Sequence, residues 1–276
     1  MTNRVAYFGP AGTFTEAAAL TYDREAELIP FPSISAVFSA VEYQLADEGV
    51  VPIENSLEGS VTETLDLLIH ESTLTIYREL AIPIDHCLII SPSMSLGDVE
   101  VIYSHPQALG QCRSFIEKRF PGVQVVATLS TASAVEEVIR SEIPAAAISS
   151  ARAAEIYGAK VVEKGIQDNI ANLTRFVILS RRDNTGTGRD KTSICFSFQD
   201  DGPGMLYSVM GEFASRKINL AKVESRPNKE VLGRYIFLVD IEGHKEDQGV
   251  MEALAGLRQK ASMVKILGSY PRYSSG

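Results

Sequence analysis

Five short polar segments carry most of the side chains in this chain that could bind or activate a small molecule. Each lies beside an apolar run that predicts a β-strand, and all are rich in hydroxyl, amide or glycine residues: Gly9–Thr15, Glu54–Thr64, Ser104–Gln111, Ser130–Ser133 and Asn172–Arg175. Four follow their strands and lead into predicted helices, whose first backbone N–H groups favour an anionic ligand. In an open α/β sheet, ligands bind beyond the carboxyl ends of strands, so we expect these segments to meet in one cleft. The Asn172 segment differs because it precedes its strand.

The residue types in these segments favour binding and positioning over covalent or metal chemistry. No HExxH or GxSxG motif is present, and the four histidines are scattered through the sequence. Cys112 and His105 lie too far apart along one predicted helix to act as nucleophile and base. Hydroxyls, amides, Glu54 and Arg175 remain, and they suit electrostatic stabilisation of an anionic small molecule. Arg175 is a predicted carboxylate ligand, since its guanidinium can bind both carboxylate oxygens.

Two of the segments also have a plainer interpretation. Ser60 and Glu63 have the spacing of a capping box, which predicts an ordinary turn and a helix starting near Ser60. Gly9–Thr15 is compatible with a simple tight turn, because it lacks the Gly-Lys-Ser/Thr of a P-loop and the third glycine of a dinucleotide-binding loop. These alternatives stay open on the sequence of each segment alone.

Composition narrows the class of protein. The chain has 276 residues, of which 45% are hydrophobic and 22% are charged, as in ordinary globular proteins. A net charge of −9 without a Lys/Arg cluster argues against nucleic-acid binding. Three widely spaced cysteines indicate reduced thiols. No apolar run reaches the roughly 18 residues of a membrane helix, and no signal peptide is recognisable, so we expect a soluble cytoplasmic protein.

The order of predicted elements indicates two domains. Strands and helices alternate up to residue 183, which predicts largely parallel sheets covered by helices, and 1–183 is therefore assigned to one α/β domain. A polar, Gly-rich stretch, Asp183–Asp190, predicts the linker. The remainder, 192–276, has the order βαββαβ, which is typical of a small α+β sandwich.

Taken together, the motifs resemble one enzyme family. Gly9–Thr15, Pro52–Ser56 with Gly59, Thr64–Leu67, Ser104–Gln107 and Asn172–Phe176 are similar to the prephenate dehydratase family, and Glu224–Pro227 resembles its phenylalanine-binding ACT domain. The motifs follow the family order and cover nearly the whole chain. The resemblance implies a two-lobed α/β catalytic domain, similar to type II periplasmic binding proteins, followed by an α+β ACT domain.

The resemblance also implies an activity. Members of this family convert prephenate to phenylpyruvate in phenylalanine biosynthesis, with loss of water and carbon dioxide, and use no metal and no organic cofactor. They are expected to form tetramers, as dimers of dimers, and to be inhibited by L-phenylalanine. One departure is Met205, because the family has alanine between the glycine and leucine at this point of the first ACT helix.

Residue roles follow from the same resemblance. The family motif gives the key role to Thr174, which we expect to donate a hydrogen bond to the departing hydroxyl. The predicted catalytic residues are Thr174, Asn55, Ser104, Gln111 and Glu54. The predicted substrate-binding residues are Gly12, Thr13, Ser56, Thr131, Arg175 and Phe176. The predicted effector-binding residues are Gly204, Met205, Leu206, Glu224, Ser225, Arg226 and Pro227. Glu54 has two interpretations, an acid with a raised pKa or a structural acceptor of backbone N–H groups.

Two other functions remain compatible with these residues. Arogenate dehydratase performs the same chemistry on the amino analogue of prephenate, and the residues that would distinguish the two substrates cannot be identified from the sequence. A cytoplasmic small-anion binding protein would share the lobed fold without turnover, although the ACT-like domain argues against it.

Overall fold

The structure, a computed structural model, describes residues 2–199, 202–229, 231 and 233–273. The predicted domains also include residues 1, 200, 201, 230, 232 and 274–276, which lie outside the described residues. The chain groups into two compact units. The first unit contains the chain up to Thr62 together with Leu80–Phe176, and the second contains Glu63–Glu79 together with the chain from Val177 onward. The domain limits 1–183 and 192–276 stay a prediction, because contacts alone do not test which segments fold independently.

The regular elements are numbered in chain order. The strands are β1 (Arg4–Phe8), β2 (Glu27–Phe31), β3 (Glu48–Asn55), β4 (Gly59–Ser60), β5 (Thr75–Pro83), β6 (Cys87–Ile90), β7 (Val101–Ser104), β8 (Gln124–Ala127), β9 (Ala145–Ser149), β10 (Lys160–Lys164), β11 (Leu173–Ser180), β12 (Asp190–Ser197), β13 (Leu220–Pro227), β14 (Tyr235–Glu242) and β15 (Met263–Pro271). The helices are α1 (Phe14–Tyr22), α2 (Ile34–Glu42), α3 (Thr62–Asp66), α4 (Pro106–Gln111), α5 (Arg113–Arg119), α6 (Thr131–Arg140), α7 (Ala151–Tyr157), α8 (Met205–Ala214) and α9 (Gln248–Lys260).

The first sheet has the strand order β2-β1-β3-β11-β5, and β4 pairs with β3. β1 runs parallel to both β2 and β3, as the alternation of strands and helices predicts. Val37, Phe38 and Val41 of α2 are buried, which is the apolar stripe expected from their helical spacing. These elements place the carboxyl ends of β1 and β3 at one edge of the sheet.

The second sheet has the order β10-β6-β9-β7-β8, with β7 parallel to β8 and β9. All five residues of β9 are buried, as expected for a central strand covered on both faces. Val135 and Val138 of α6 join the core on one side, and Ile116 of α5 joins the core on the other. This packing fixes the helix N-termini that follow β7 and β8.

The C-terminal part of the second unit contains an antiparallel sheet with the order β13-β14-β12-β15. The element order β12-α8-β13-β14-α9-β15 confirms the predicted βαββαβ topology. Val209 and Phe213 of α8 and Leu254 and Leu257 of α9 form one buried core with Phe196 of β12, which explains why the two helices cover one face of the sheet.

A segment from earlier in the chain also belongs to the second unit. α3 continues into a π-helical turn, Leu67–Glu71, whose carbonyl end receives the ammonium group of Lys265 from β15. Nζ of Lys265 donates to the carbonyl oxygens of Leu68 at 2.6 Å and Ser72 at 2.8 Å. A cation at this position satisfies carbonyl groups that the helix end leaves without an intrahelical partner.

Two local predictions differ from the structure. The helix expected to start near Ser60 begins two residues later, at Thr62, because Gly59 and Ser60 first form the short strand β4 opposite Glu54 and Asn55. The segment after Ser104 forms two short helices, not one, since Cys112 leaves the helical conformation at φ −114° and ψ 20°. No helix among the described residues combines the length and apolar character needed to cross a membrane.

Candidate active site

The first unit contains a cavity of about 320 Å³, which is near the lower end of the ~300–1,000 Å³ range of small-molecule sites. All five predicted polar segments contribute to its lining. The predicted site residues among the lining are Thr13, Asn55, Gln111, Thr131, Thr174 and Phe176. Apolar side chains supply much of the remaining wall: Phe8, Phe14, Ile34, Val61, Ile84 and Leu129. None of the described lining residues is Lys, Arg, Asp or Glu.

Helix starts supply a large part of the polar wall. Thr13 caps α1 by accepting the backbone N–H of Glu16, and Ser130 caps α6 by accepting that of Ser133. His105 caps α4 in the same way through Nδ1, which agrees with its interpretation as a cap residue. Because each cap terminates a loop that follows a strand, the three helix starts converge on the cavity.

Strand alternation separates the predicted residues of β3 and β11. These strands are neighbours, and successive residues of a strand point to opposite faces. Asn55 and Thr174 line the cavity, with Nδ2 of Asn55 at 2.8 Å from Oγ1 of Thr174. Glu54 and Arg175 do not line it, and they form an ion pair with Nη2 at 3.2 Å from Oε2. Direct contact of Arg175 or Glu54 with substrate therefore stays a prediction.

A chain of hydrogen-bonded side chains extends from Thr174 to His86, and we call it the amide network: Thr174, Asn55, Asn172, Gln111 and His86. Asn55 Nδ2 also donates to Oδ1 of Asn172 at 2.8 Å, and Asn172 Nδ2 donates to Oε1 of Gln111 at 3.0 Å. The same Gln111 oxygen is 2.9 Å from Nε2 of His86. Apart from the half-buried Gln111, the members are less than a tenth exposed.

Two predicted residues, Ser104 and Ser56, support the walls of the cavity from outside its lining. Ser104 is fully buried, and its hydroxyl donates to the carbonyl oxygen of Ile148 at 2.6 Å. The Ser56 hydroxyl donates to the carbonyl oxygen of Ala171 at 3.0 Å, which holds the β3–β4 turn against the start of β11. Contact of these residues with substrate stays a prediction.

Gly12 is required by its backbone and its neighbours. Its φ is +88°, and a Cβ at this position would lie 2.9 Å from Cα of Ala153. Its N–H donates to the Glu16 carboxylate, and its carbonyl oxygen accepts from Ser150 at 2.7 Å. The Gly12 N–H is thus already used within the fold, and the predicted contact of Gly12 with substrate also stays a prediction.

The sequence motifs did not identify five lining residues as part of the site: Phe8, Ile34, Ile84, His86 and Leu129. His86 lies between β5 and β6, outside every polar segment, where the chain leaves one sheet for the next. Leu129 is 97% exposed although it lines the cavity, a combination that an isolated leucine in a loop does not reveal. Asn172 belonged to a recognised motif, but its neighbour Thr174 drew the functional assignment.

Burial sets the ionisation of several groups in the first unit. Burial lowers the pKa of His86, although its hydrogen bond with Gln111 and the charge of Asp85 act in the opposite direction. Burial also lowers the pKa of His105. The pKa of Cys112 is raised to about 12, mainly by burial, so this thiol is protonated at neutral pH. The described residues include no group of three or more His, Cys, Asp or Glu side chains placed to hold a metal ion.

The predicted effector residues lie at two places in the second unit. Gly204, with φ +84°, forms the N-cap of α8, and Met205 and Leu206 pack against the core of the antiparallel sheet. Glu224–Pro227 forms the end of β13. A separate cavity is lined by Met205 but by no residue of Glu224–Pro227. Binding of an effector by these residues stays a prediction.

Arg226 of the effector motif belongs to a charged group that we call the ion-pair cluster: Asp66, Arg226, Lys229 and Glu224. Nη2 of Arg226 is 3.1 Å from Asp66, and Nη1 is 3.3 Å from Glu224. Lys229 binds the other Asp66 oxygen at 2.6 Å. Burial raises the pKa of Asp66, but the hydrogen bonds and charges of Lys229 and Arg226 outweigh it and lower the pKa overall.

Comparison with known proteins identifies what the chain resembles. Residues 5–184 match the family described as "Prephenate dehydratase", and residues 196–259 match the "ACT domain". The chain is 46% identical over 98% of its length to a bifunctional chorismate mutase/prephenate dehydratase of Aquifex aeolicus, of which 74% is covered. It is 39% identical over 97% of its length to arogenate dehydratase/prephenate dehydratase 1 of Arabidopsis thaliana, of which 72% is covered.

A solved structure agrees with both family matches. The prephenate dehydratase of Arthrobacter aurescens, solved in complex with L-Phe, superposes with a TM-score of 0.90 at 37% identity. The alignment covers 98% of this chain and 90% of that protein. The predicted fold class, an α/β catalytic domain followed by a βαββαβ domain, is confirmed by these matches together with the observed sheets.

Proposed function

The chain belongs to the prephenate dehydratase family, and we propose that its cavity converts prephenate to phenylpyruvate. One observation carries the residue assignment. In the cavity, Thr174 Oγ1 accepts a hydrogen bond from Asn55, and no described residue accepts one from the Thr174 hydroxyl. The hydroxyl hydrogen is thus available to a bound molecule. A hydrogen-bond donor is the group that expulsion of a hydroxide from prephenate requires.

The substrate supplies most of the driving force. Prephenate carries a ring carboxylate and, across the ring, a hydroxyl. The bond from the ring to the carboxylate breaks, its electron pair moves into the ring, and the bond to the hydroxyl breaks on the far side. Carbon dioxide leaves, and the departing hydroxide combines with one proton from solution to form water, so the prephenate dianion and one proton give the phenylpyruvate monoanion, carbon dioxide and water. The ring becomes aromatic, so Thr174 needs only to stabilise the developing negative charge on oxygen.

The neutral lining suits this reaction. An ion pair to the ring carboxylate would stabilise the group that must leave as neutral carbon dioxide, and would therefore slow its loss. The side-chain carboxylate of the substrate does not react and can be bound tightly. The starts of α1 and α6 offer hydroxyl donors for it through Thr15 and Thr131, together with backbone N–H donors. The Thr13 hydroxyl donates to the carbonyl oxygen of Phe8 at 3.2 Å and holds the loop before α1.

The other predicted residues have supporting roles in this proposal. Gln111 and Asn55 orient groups in the cavity, Phe176 packs against the ring, and Ser104, Ser56 and Gly12 hold the walls. Glu54 acts as the structural partner of Arg175, since the two form an ion pair on neighbouring strands. Arg175 remains the candidate ligand for a carboxylate entering from that side, and a raised KM at unchanged kcat in Arg175→Gln would support this contact.

A turnover assay tests the activity directly. Purified protein is incubated with prephenate, and phenylpyruvate formation is followed over time. The proposal predicts steady production of phenylpyruvate that scales with protein concentration. A small-anion binding protein would bind prephenate without releasing phenylpyruvate, and that outcome would contradict the proposal.

Arogenate dehydratase is the second candidate, because the Arabidopsis relative carries both activities in its name. Arogenate differs from prephenate only by an amino group in place of the keto group. Comparing kcat/KM for the two substrates decides between them, and a higher value for prephenate is the result we expect.

Regulation and assembly complete the proposal. We expect L-phenylalanine to bind the ACT domain, an assignment supported by the ACT match and by the L-Phe complex of the Arthrobacter protein. We further propose a homotetramer located in the cytoplasm, with 1–183 as the catalytic and 192–276 as the regulatory domain. Mass measurement in solution with and without L-phenylalanine tests the assembly.

A further inference from the structure

The donor and the acceptor of each hydrogen bond in the amide network can be assigned in only one way, and the assignment starts at Asn55. Oδ1 of Asn55 accepts the backbone N–H groups of Leu57 at 3.0 Å and Glu58 at 3.1 Å. A backbone N–H can only donate, so this atom must be the amide oxygen. Nδ2 therefore carries the two hydrogens, and its two shortest contacts, at 2.8 Å, are Oδ1 of Asn172 and Oγ1 of Thr174.

The assignment at Asn55 fixes the donor and acceptor atoms of the next two amides, Asn172 and Gln111. Asn172 accepts through its oxygen, so the nitrogen of the same side chain must donate to Gln111 at 3.0 Å. The Gln111 atom that receives it is then the oxygen. Gln111 Nε2 points instead to the Glu58 carboxylate at 3.3 Å, which can only accept. Rotating any one of these amides by half a turn would place donor against donor or acceptor against acceptor.

The direction ends at His86. Because the Gln111 oxygen accepts, Nε2 of His86 must carry a hydrogen across the 2.9 Å contact. The ring is 2% exposed, and burial lowers its pKa, so the neutral form with hydrogen on Nε2 is favoured. No described group pairs with Nδ1. The His86 ring also packs on Phe14, which lines the same cavity, in a T-shaped arrangement with 5.5 Å between ring centroids.

We infer that His86 and Asn172 are positioning residues of the dehydratase site, an assignment that rests on the proposed function. Acting through Gln111 and Asn55, they fix Thr174 Oγ1 as an acceptor on the protein side. The only hydrogen on that oxygen is then directed to the substrate. Neither residue touches the reacting atoms in this assignment. They set the orientation of the group that does.

Two variants that differ by one methylene group test the role of His86. The amide nitrogen of His86→Gln reaches the position of Nε2 and can donate to Gln111, whereas the shorter side chain of His86→Asn reaches only the position of Nδ1. We expect H86N to lower kcat by up to about 100-fold. KM should stay within about twofold, since substrate binding is not removed. The kcat of H86Q should be at least about tenfold higher than that of H86N. Thermal unfolding should show that both variants are folded.

Equal kcat in H86N and wild type would overturn the inference, as would equal loss in both variants, which would indicate ring packing alone. A third measurement does not depend on activity. The ¹⁵N spectrum of histidine-labelled wild-type protein should show neutral rings protonated at Nε2, among them His105, whose Nδ1 accepts the Gln107 N–H. The signal that is lost in folded H86Q is assigned to His86. Protonation at Nδ1 would overturn the inference. Failure of wild type to turn over prephenate would instead contradict the proposed function while leaving the tautomer result intact.

Discussion

The amide network and the ion-pair cluster are two buried or half-buried polar groups built on opposite principles. The amide network joins five neutral side chains, and each of its hydrogen bonds can run in only one direction. The ion-pair cluster joins charged side chains around Asp66, where Lys229 is 58% exposed. Neutral directed bonds specify geometry, whereas charged pairs at a partly exposed site respond to competing charges and to salt.

This difference between neutral and charged contacts fits the roles proposed for the two groups, catalysis for the amide network and effector binding for the ion-pair cluster. A reaction that releases a neutral product from a carboxylate gains from fixed neutral donors, because their geometry does not depend on solution conditions. At an effector site, by contrast, a charged ligand can replace one partner of an ion pair. Phenylalanine brings both a carboxylate and an ammonium group, so it can compete for Arg226 and for the carboxylates of the ion-pair cluster.

The largest effect is expected at the donor itself. Thr174→Ala removes the hydroxyl that faces the substrate and should lower kcat by about 10²–10³-fold at similar KM. Thr174→Ser retains a hydroxyl and serves as the matched control, with kcat well above that of Thr174→Ala. Steady-state kinetics with prephenate measure both variants. A Thr174→Ala enzyme with near-normal kcat would remove Thr174 from the reaction.

A smaller effect is expected at the ion-pair cluster. Asp66→Asn removes the negative charge shared by Arg226 and Lys229, and it should change the L-phenylalanine concentration for half-inhibition by about fivefold or more. The kcat without effector should stay within about twofold, because Asp66 is not part of the cavity lining. Glu117→Gln breaks an exposed pair with Arg113 and is the matched control. An Asp66→Asn enzyme with unchanged inhibition would separate the ion-pair cluster from regulation.

The catalytic segments and the ion-pair cluster also differ in how well the sequence predicts them. The catalytic segments were predictable because strand ends, helix caps and glycine turns leave short local patterns, and their convergence follows from the geometry of parallel sheets. The faces of β3 and β11 were not predicted, so Arg175 was expected in the cavity beside Thr174. The pair between Asp66 and Arg226 joins residues 160 positions apart. His86 stands in no motif. Long-range contacts of this kind depend on packing that no local pattern records.

The smallest effect is expected on acid stability. The lowered pKa of Asp66 means that its pairing stabilises the fold fully above the ordinary value of 3.8 and is lost as pH falls through the lowered folded value. Wild type should therefore exceed Asp66→Asn by roughly 1 kcal/mol in unfolding free energy at neutral pH. The difference should shrink as the pH falls below 3.8. Melting temperatures of both proteins across this range measure it, and a difference that grows in acid would contradict the assigned sign.

The central claim, that Asn55 directs the Thr174 hydrogen toward the substrate, is tested most directly by kcat of Asn55→Asp. This nearly isosteric change replaces the amide donor with a carboxylate acceptor. The Thr174 hydroxyl should then donate its hydrogen bond to the introduced carboxylate and no longer to the substrate. We predict that kcat falls nearly to the level of Thr174→Ala although the hydroxyl is present. The double variant Asn55→Asp/Thr174→Ala should be no slower than Thr174→Ala alone, since both changes remove the same interaction. A near-normal kcat in folded Asn55→Asp, or losses that multiply in the double variant, would contradict the claim.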